Sequence, residues 1–254
     1  MDIFAFPPIA LLLDGAYALV QGIATFLNPI AGTASAALAV VVLTMVVRSA
    51  LIPIGISQVK AEWHRRRLAP RLQALQRAYK KNPGLLQKKT AELYESENVS
   101  PFAGFLPTLL QAPVISVVYA LFIRLSIDGH PNLLLAGHVG GVTLGTSFFH
   151  AGWPGMPVFI ALFAVIGVAA WFSRRTVVRL TLPPASDAAP STAMLASVLS
   201  WLPFITVLFA AFVPLAAVIY LATTTLWTLV ERSIMRHRYW SEQGSGGAVV
   251  STAK

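Results

Sequence analysis

Arg48 carries the most pointed chemistry in this chain and sits in the least hospitable place for it. It lies within an apolar run, residues 34–56, interrupted by Thr44, Arg48, Ser49 and Pro53. Eight residues separate it from Ile56, roughly 12 Å along a helix. A cation so far into a bilayer costs about 2.5–3.5 kcal/mol. Two readings remain. Its long side chain reaches back to the headgroups, or it stands in a water-containing cavity. No Asp or Glu falls inside the apolar runs, and the nearest, Glu231, is at a boundary, so Arg48 has no carboxylate of its own. The polar side chains able to solvate it are Gln111, near the middle of another apolar run, Thr44, one turn away on the same face, and the cluster Thr223, Thr224, Thr225 and Thr228 beside Trp227. A single Thr more readily bonds back to its own helix. A fixed cation in a wet cavity attracts a transient anion, either a small solute or an acidic residue of another polypeptide.

Other chemistries are poorly served. There is no Cys, which removes disulfides, thiolate catalysis and lipoprotein acylation. The five His are scattered and suggest no metal site. The apolar runs contain neither His nor a Gly-x-Ser-x-Gly motif, so no Ser-His pair can form there. The chain is expected to be no enzyme and to need no cofactor.

The elements that position Arg48 are membrane spans. Hydrophobic residues make up 56% of the chain and charged ones 11%, against roughly 25% charged in a soluble domain. A span takes about 20 apolar residues. We expect an outer N-terminal segment over residues 1–33 and a first span over 34–58. A cytoplasmic hairpin follows over 59–99, a second span over 100–124, with Ser100 and Pro101 opening its helix, and an outer, Gly-rich loop over 125–155. The third span is 156–173, flanked by Trp153 and Trp171, and residues 174–192 form a cytoplasmic loop. The run 193–230 holds 38 residues, roughly 57 Å as one helix. That is too long for one crossing, and a turn near residues 209–214 divides it into a fourth and a fifth span. A basic, disordered cytoplasmic tail, 231–254, completes the chain. Residues 9–27 carry Asp14, Gln21 and Thr25 as one polar stripe, which favours a helix in the outer interface over a sixth span.

The formal net charge of +9 resolves into topology. Residues 60–100 hold ten Lys or Arg, residues 174–179 three and the tail four. These clusters fall on one side, which the positive-inside rule makes cytoplasmic. The N-terminus is then outside and the C-terminus inside. Residues 1–27 contain no Lys or Arg, so no cleavable signal is expected, and the pattern points to a bacterial plasma membrane.

In the hairpin, Leu68, Leu72, Leu75 and Tyr79 share a helical face, and Asn82-Pro83-Gly84 breaks the helix. Its cations Arg65, Arg66, Arg67, Arg71, Lys80 and Lys81, with Arg232, Arg236 and Arg238 of the tail, admit two readings. They fix topology and touch anionic lipid headgroups, or they form a docking surface for a partner, the ribosome among them. No stacking aromatics interleave them as in a nucleic-acid groove.

The stretch from Arg48 to Tyr119 resembles the insertase family of YidC, Oxa and Albino proteins. Val46-Val47-Arg48-Ser49-Ala50-Leu51-Ile52-Pro53, then Gln58-Val59-Lys60, is similar to the end of that family's first span. Leu68-Ala69-Pro70-Arg71-Leu72 looks like its hairpin element. The run Gly104-Phe105-Leu106-Pro107-Thr108-Leu109-Leu110-Gln111-Ala112-Pro113 resembles the core of its second span, and Pro214, Tyr220, Leu226 and Trp227 fit its last. Leu221, Thr224 and Thr225 depart from that last pattern.

The resemblance implies an all-α membrane protein with five helices around a hydrophilic groove open to cytoplasm and lipid and closed outside. Arg48, Gln111, Thr44, Tyr119, Tyr220, Thr224 and Trp227 would line it. It implies membrane protein clients, with the Sec translocon as a further partner, and a short form without a large outer domain. The rival function is an anion or amino-acid transporter using Arg48 as counter-ion. Against it stand the lack of an inverted repeat and of paired broken helices.

Overall fold

In the computed structural model, residues 7–100, 106–127, 129–180, 198 and 200–250 are described. The residues that would open the second span, 101–105, and residues 181–197, covering most of the expected loop 174–192, lie outside them. Helix α1 covers Pro7–Ala31, α2 Ser35–Ala50 and α3 Ile52–Ala78. Next come α4 over Pro83–Ser96 and α5 over Leu106–Ile123. Helix α6 covers Gly152–Leu180, α7 Leu202–Ala210 and α8 Leu215–Val250.

Helix α8 is the hub, packing against α2, α3, α5, α6 and α7. Its first turns are buried, with Leu215, Ala216, Ala217, Val218, Tyr220 and Ala222 all enclosed. The small side chains at 216, 217 and 222 let neighbouring backbones come close, as in helix packing within lipid. Elsewhere the outward surface is apolar. Leu38, Val42, Met45 and Val46 of α2, Ile160 and Val168 of α6, and Leu202, Ile205, Leu208 and Phe209 of α7 are exposed. Apolar exposure on this scale marks a surface that another phase covers. Two stretches are long and apolar enough to cross a membrane, Ala10–Ala50 and Gly152–Thr176. The apolar helix Gln111–Ile123 is shorter.

Pro53 shapes the inner end of the expected first span. It has no N–H to bond back, and α2 ends at Leu51 (φ −88°, ψ 0°) with Pro53 in the first turn of α3. From there α3 runs continuously through Gln58 and Lys60 to Ala78. Span and hairpin arm, read from sequence as separate pieces, thus share one helix. The turn at its end is as the sequence spells it: the Asn82 side chain accepts from Leu85 N–H at 3.1 Å, and Pro83 opens α4. A turn at residues 211–214 separates α7 from α8. The tail differs from expectation. Rather than fraying at residue 231, α8 continues as helix to Val250, because an already formed helix propagates at little cost and its basic segment finds a partner on α3.

The Gly-rich segment after α5 folds as a cap with two short antiparallel hairpins. In these, Ser126–Ile127 (β1) pairs with His130–Pro131 (β2), and His138–Val139 (β3) with Val142–Thr143 (β4). The cap satisfies helix ends that would otherwise leave polar groups unpaired. The buried Asn132 side chain donates to the carbonyls of Leu121 (2.8 Å) and Arg124 (2.9 Å) at the end of α5. Thr146 and Leu144 carbonyls accept from Leu215 and Ala216 at the start of α8, each at 2.9 Å. Leu133 N–H donates to the Tyr17 hydroxyl of α1 at 3.1 Å. Helix α1 itself buries Leu13 and Val20 in the common core and exposes Leu11, Phe26 and Ile30.

Gly137 is required by space. Its φ of −61° suits any residue, but an added Cβ would lie 2.5 Å from Ala36 Cβ. Gly137→Val should therefore push the cap off α2, an overpacking cost of about 1–3 kcal/mol. A melting temperature lowered by several degrees, about 2–4 °C per kcal/mol, is the expected result in detergent; unchanged melting would remove the cap from the elements that hold α2.

Candidate functional site

Arg48 lies in the last turn of α2, where the carbonyl end of a helix favours a cation. Its Nε donates to the Thr224 hydroxyl of α8 at 3.0 Å, and the Tyr220 hydroxyl lies in reach of both Arg48 and Thr224. A cavity of about 240 Å³ opens beside them, lined by Arg48, Gly55, Gln58, Gln111, Thr228, Glu231 and Arg232 among others. Gln58 Nε2 donates to Gln111 Oε1 at 3.3 Å across α3 and α5. A cation, two amides and a hydroxyl thus converge where four helices meet.

Tyr220, Thr224, Thr228 and Glu231 recur on α8 at helical spacing and turn one polar stripe inward. Thr224 alone of the threonine cluster serves Arg48. Thr223, Thr225 and Thr228 donate to the carbonyls of Ile219, Leu221 and Thr224 on their own helix. Thr44 does not join the site: it is 1% exposed and donates to Val40 O at 2.6 Å. Its spacing is right, but its hydroxyl is satisfied within α2, which corrects the expectation that it solvates Arg48. Tyr119 faces a second cavity of about 530 Å³ with Leu202, Ile205, Thr206, Phe209 and Leu221, its ring 6.3 Å from that of Tyr220. Trp227 lines a third, largely apolar cavity of about 490 Å³ with Ile52, Ile56, Val59 and Val230. Of the expected groove residues, Arg48 and Gln111 therefore line the first cavity, Tyr119 the second and Trp227 the third.

Glu231, which the sequence sets at the boundary of the last span, lines the cavity beside Arg48 and is near enough to interact with it electrostatically. Gln58 is a site residue the sequence did not single out, and Arg232, expected on the docking surface, also lines this cavity. The Gln58-Val59-Lys60 segment was noted only as the inner end of a span, although Gln58 follows Gly55 by three residues and so shares its face.

The basic surface is less free than its composition suggests. Arg236 Nη2 bonds both oxygens of Glu62, at 2.9 and 3.0 Å, joining α8 to α3. Arg66 pairs with the same carboxylate. Arg71 pairs with Glu97, and Arg67 lies 4.0 Å from it. Arg65, Lys80, Lys81, Arg232 and Arg238 are exposed. Burial alone pushes the Glu62 carboxyl up, but the charges and hydrogen bonds of Arg236 and Arg66 together outweigh it and hold the group below its ordinary value of 4.5.

A family model for the 60Kd inner membrane protein matches residues 26–242. A membrane protein insertase YidC of Zymomonas mobilis subsp. mobilis is 27% identical over 210 residues, 80% of this chain and 34% of the relative. One of Clostridium perfringens is 30% identical over 119 residues, 47% of this chain and 50% of the relative. One of Burkholderia multivorans is 33% identical over 97 residues, 38% of this chain and 18% of the relative. The alignments thus span half or less of these curated relatives.

The Glu62–Arg236 latch gives a pH prediction. A carboxyl whose native pKa is lowered stabilises fully above its unfolded value, and that contribution is lost as pH falls through the native value. The latch should hold at neutral pH and release only below 4.5. With no native Cys, spin labels can be placed at Lys80 and Ser233. Their distance distribution should be narrow at pH 7 and broaden in Glu62→Gln at the same pH; equal distributions would show that α3 needs no latch. With the family model spanning most of the chain, this chain belongs to the 60Kd inner membrane protein family, which includes the YidC insertases.

Proposed function

We propose that this protein is a membrane protein insertase of a bacterial plasma membrane. Its hydrated, positively charged groove admits the polar or acidic flank of a client while the client's apolar segment passes into lipid. The observation that carries the reading is Arg48, held by Thr224 beside a 240 Å³ cavity with Gln58 and Gln111 in an otherwise apolar helix assembly. A cation kept there at an energetic cost has a use in drawing a client carboxylate out of water. The driving force is burial of about 20 apolar residues of the client, so no nucleotide or cofactor is needed.

The groove is closed outside by the cap bonded to α5 and α8 and opens toward the cytoplasm beside the hairpin. Five spans, with the N-terminus outside, the C-terminus inside and α1 in the outer interface, fit the charge distribution. The tie from Tyr17 to Leu133 supports α1 at the level of the cap. The exposed cations Arg65, Lys80, Lys81 and Arg238 form the face toward anionic headgroups, the Sec translocon or the ribosome.

Purified protein in liposomes, offered a single-spanning client with an acidic outer tail, tests this. Arg48→Glu should lower insertion at least about tenfold, a loss of about 1.4 kcal/mol or more, whereas Arg48→Lys keeps the charge and should stay within about threefold of wild type. Equal insertion by wild type and Arg48→Glu would refute the role of the groove charge. Solute flux without client insertion would establish the transporter instead.

A further inference from the structure

The cavity beside Arg48 contains a carboxylate that the insertase reading does not use. Its charged lining consists of Arg48, Arg232 and Glu231, two cations and one anion, for a net charge of +1. Glu231 is held in place by shape. A Cβ built on Gly55 would lie 2.0 Å from Glu231 Oε1 and 3.1 Å from Cδ, so the carboxylate rests against the bare backbone of α3. A side chain at position 55 would displace it. On α8, Glu231 falls seven residues after Thr224, the anchor of Arg48. Both charged side chains border the same small space and interact electrostatically.

We infer that Glu231 is a resident counter-ion that sets how much negative charge the groove accepts: it balances one of the two arginines, so the cavity favours segments with a single acidic residue and repels the second. This deepens the insertase reading and rests on it. In a partly desolvated cavity the interaction between like charges a few ångströms apart is much stronger than in water, so one extra carboxylate in the wall discriminates among clients. Arg48 supplies attraction, Glu231 the upper limit, and Arg232 the charge that keeps the sum positive. Specificity of this kind needs the repulsive group as much as the attractive one.

The test uses the full chain in vesicles of one fixed lipid composition, with a single-spanning client whose short outer tail carries one or three Asp. Insertion is read as the protease-protected fraction. Wild type should insert the one-Asp client better. Glu231→Gln should raise the ratio of three-Asp to one-Asp insertion about fivefold, and Glu231→Asp should keep the wild-type ratio. Arg232→Gln, which leaves the Gly55 contact intact, should lower the ratio and carries the test if Glu231→Gln fails to fold. An unchanged ratio in Glu231→Gln, or the same shift in Gln and Asp variants, overturns the counter-ion role while leaving the insertase reading standing. Wild type that inserts neither client overturns that reading, and this inference with it.

Discussion

The bond from Arg48 Nε to the Thr224 hydroxyl is the contact around which the rest of the architecture is arranged. An arginine cannot shed its charge, so every element near it must supply a dipole, a water-filled space or an opposing charge. Helix α8 does this with a single inward stripe. Helices α3 and α5 add the Gln58–Gln111 amide pair. The price of that polar pocket is offset by the tight apolar packing of the outer halves of α2, α5 and α8. The cation is thus confined to the end of the assembly away from the cap.

The capped end serves the opposite purpose. Where α5 ends and α8 begins, the cap consumes the free carbonyls and N–H groups by direct hydrogen bonds. Phe148, Phe159 and Phe163 pack beneath it with ring centroids 5.3–6.0 Å apart. One end of the helix assembly is tied off by hydrogen-bonded hairpins and the other bears a cavity with charged lining, which gives the protein a direction.

Much of this was legible in the sequence because the bilayer imposes such simple rules. The Asn82-Pro83 turn and the break before Pro214 each follow from one local constraint. What escaped was three-dimensional. Linear spacing sets Glu231 at the edge of a span, but the absence of a side chain at Gly55 leaves room for it in Arg48's cavity. Helical spacing put Thr44 beside Arg48, yet a hydroxyl that can reach its own backbone does so. The helical tail was hidden because the bond between Arg236 and Glu62 spans 174 residues of sequence, and no periodicity encodes it.

The unbroken course of α3 from the cavity into the hairpin has a mechanical consequence. Gln58 and Pro70 sit seven and nineteen residues beyond Leu51 in one helix, about 10 and 28 Å from that pivot. The helix is a lever whose short arm forms a wall of the cavity and whose long arm is the base of the hairpin. A force applied near Pro70 reaches Gln58 multiplied about threefold, and a displacement arrives reduced by the same factor. Whatever touches the hairpin therefore acts on the cavity's wall with more leverage than travel.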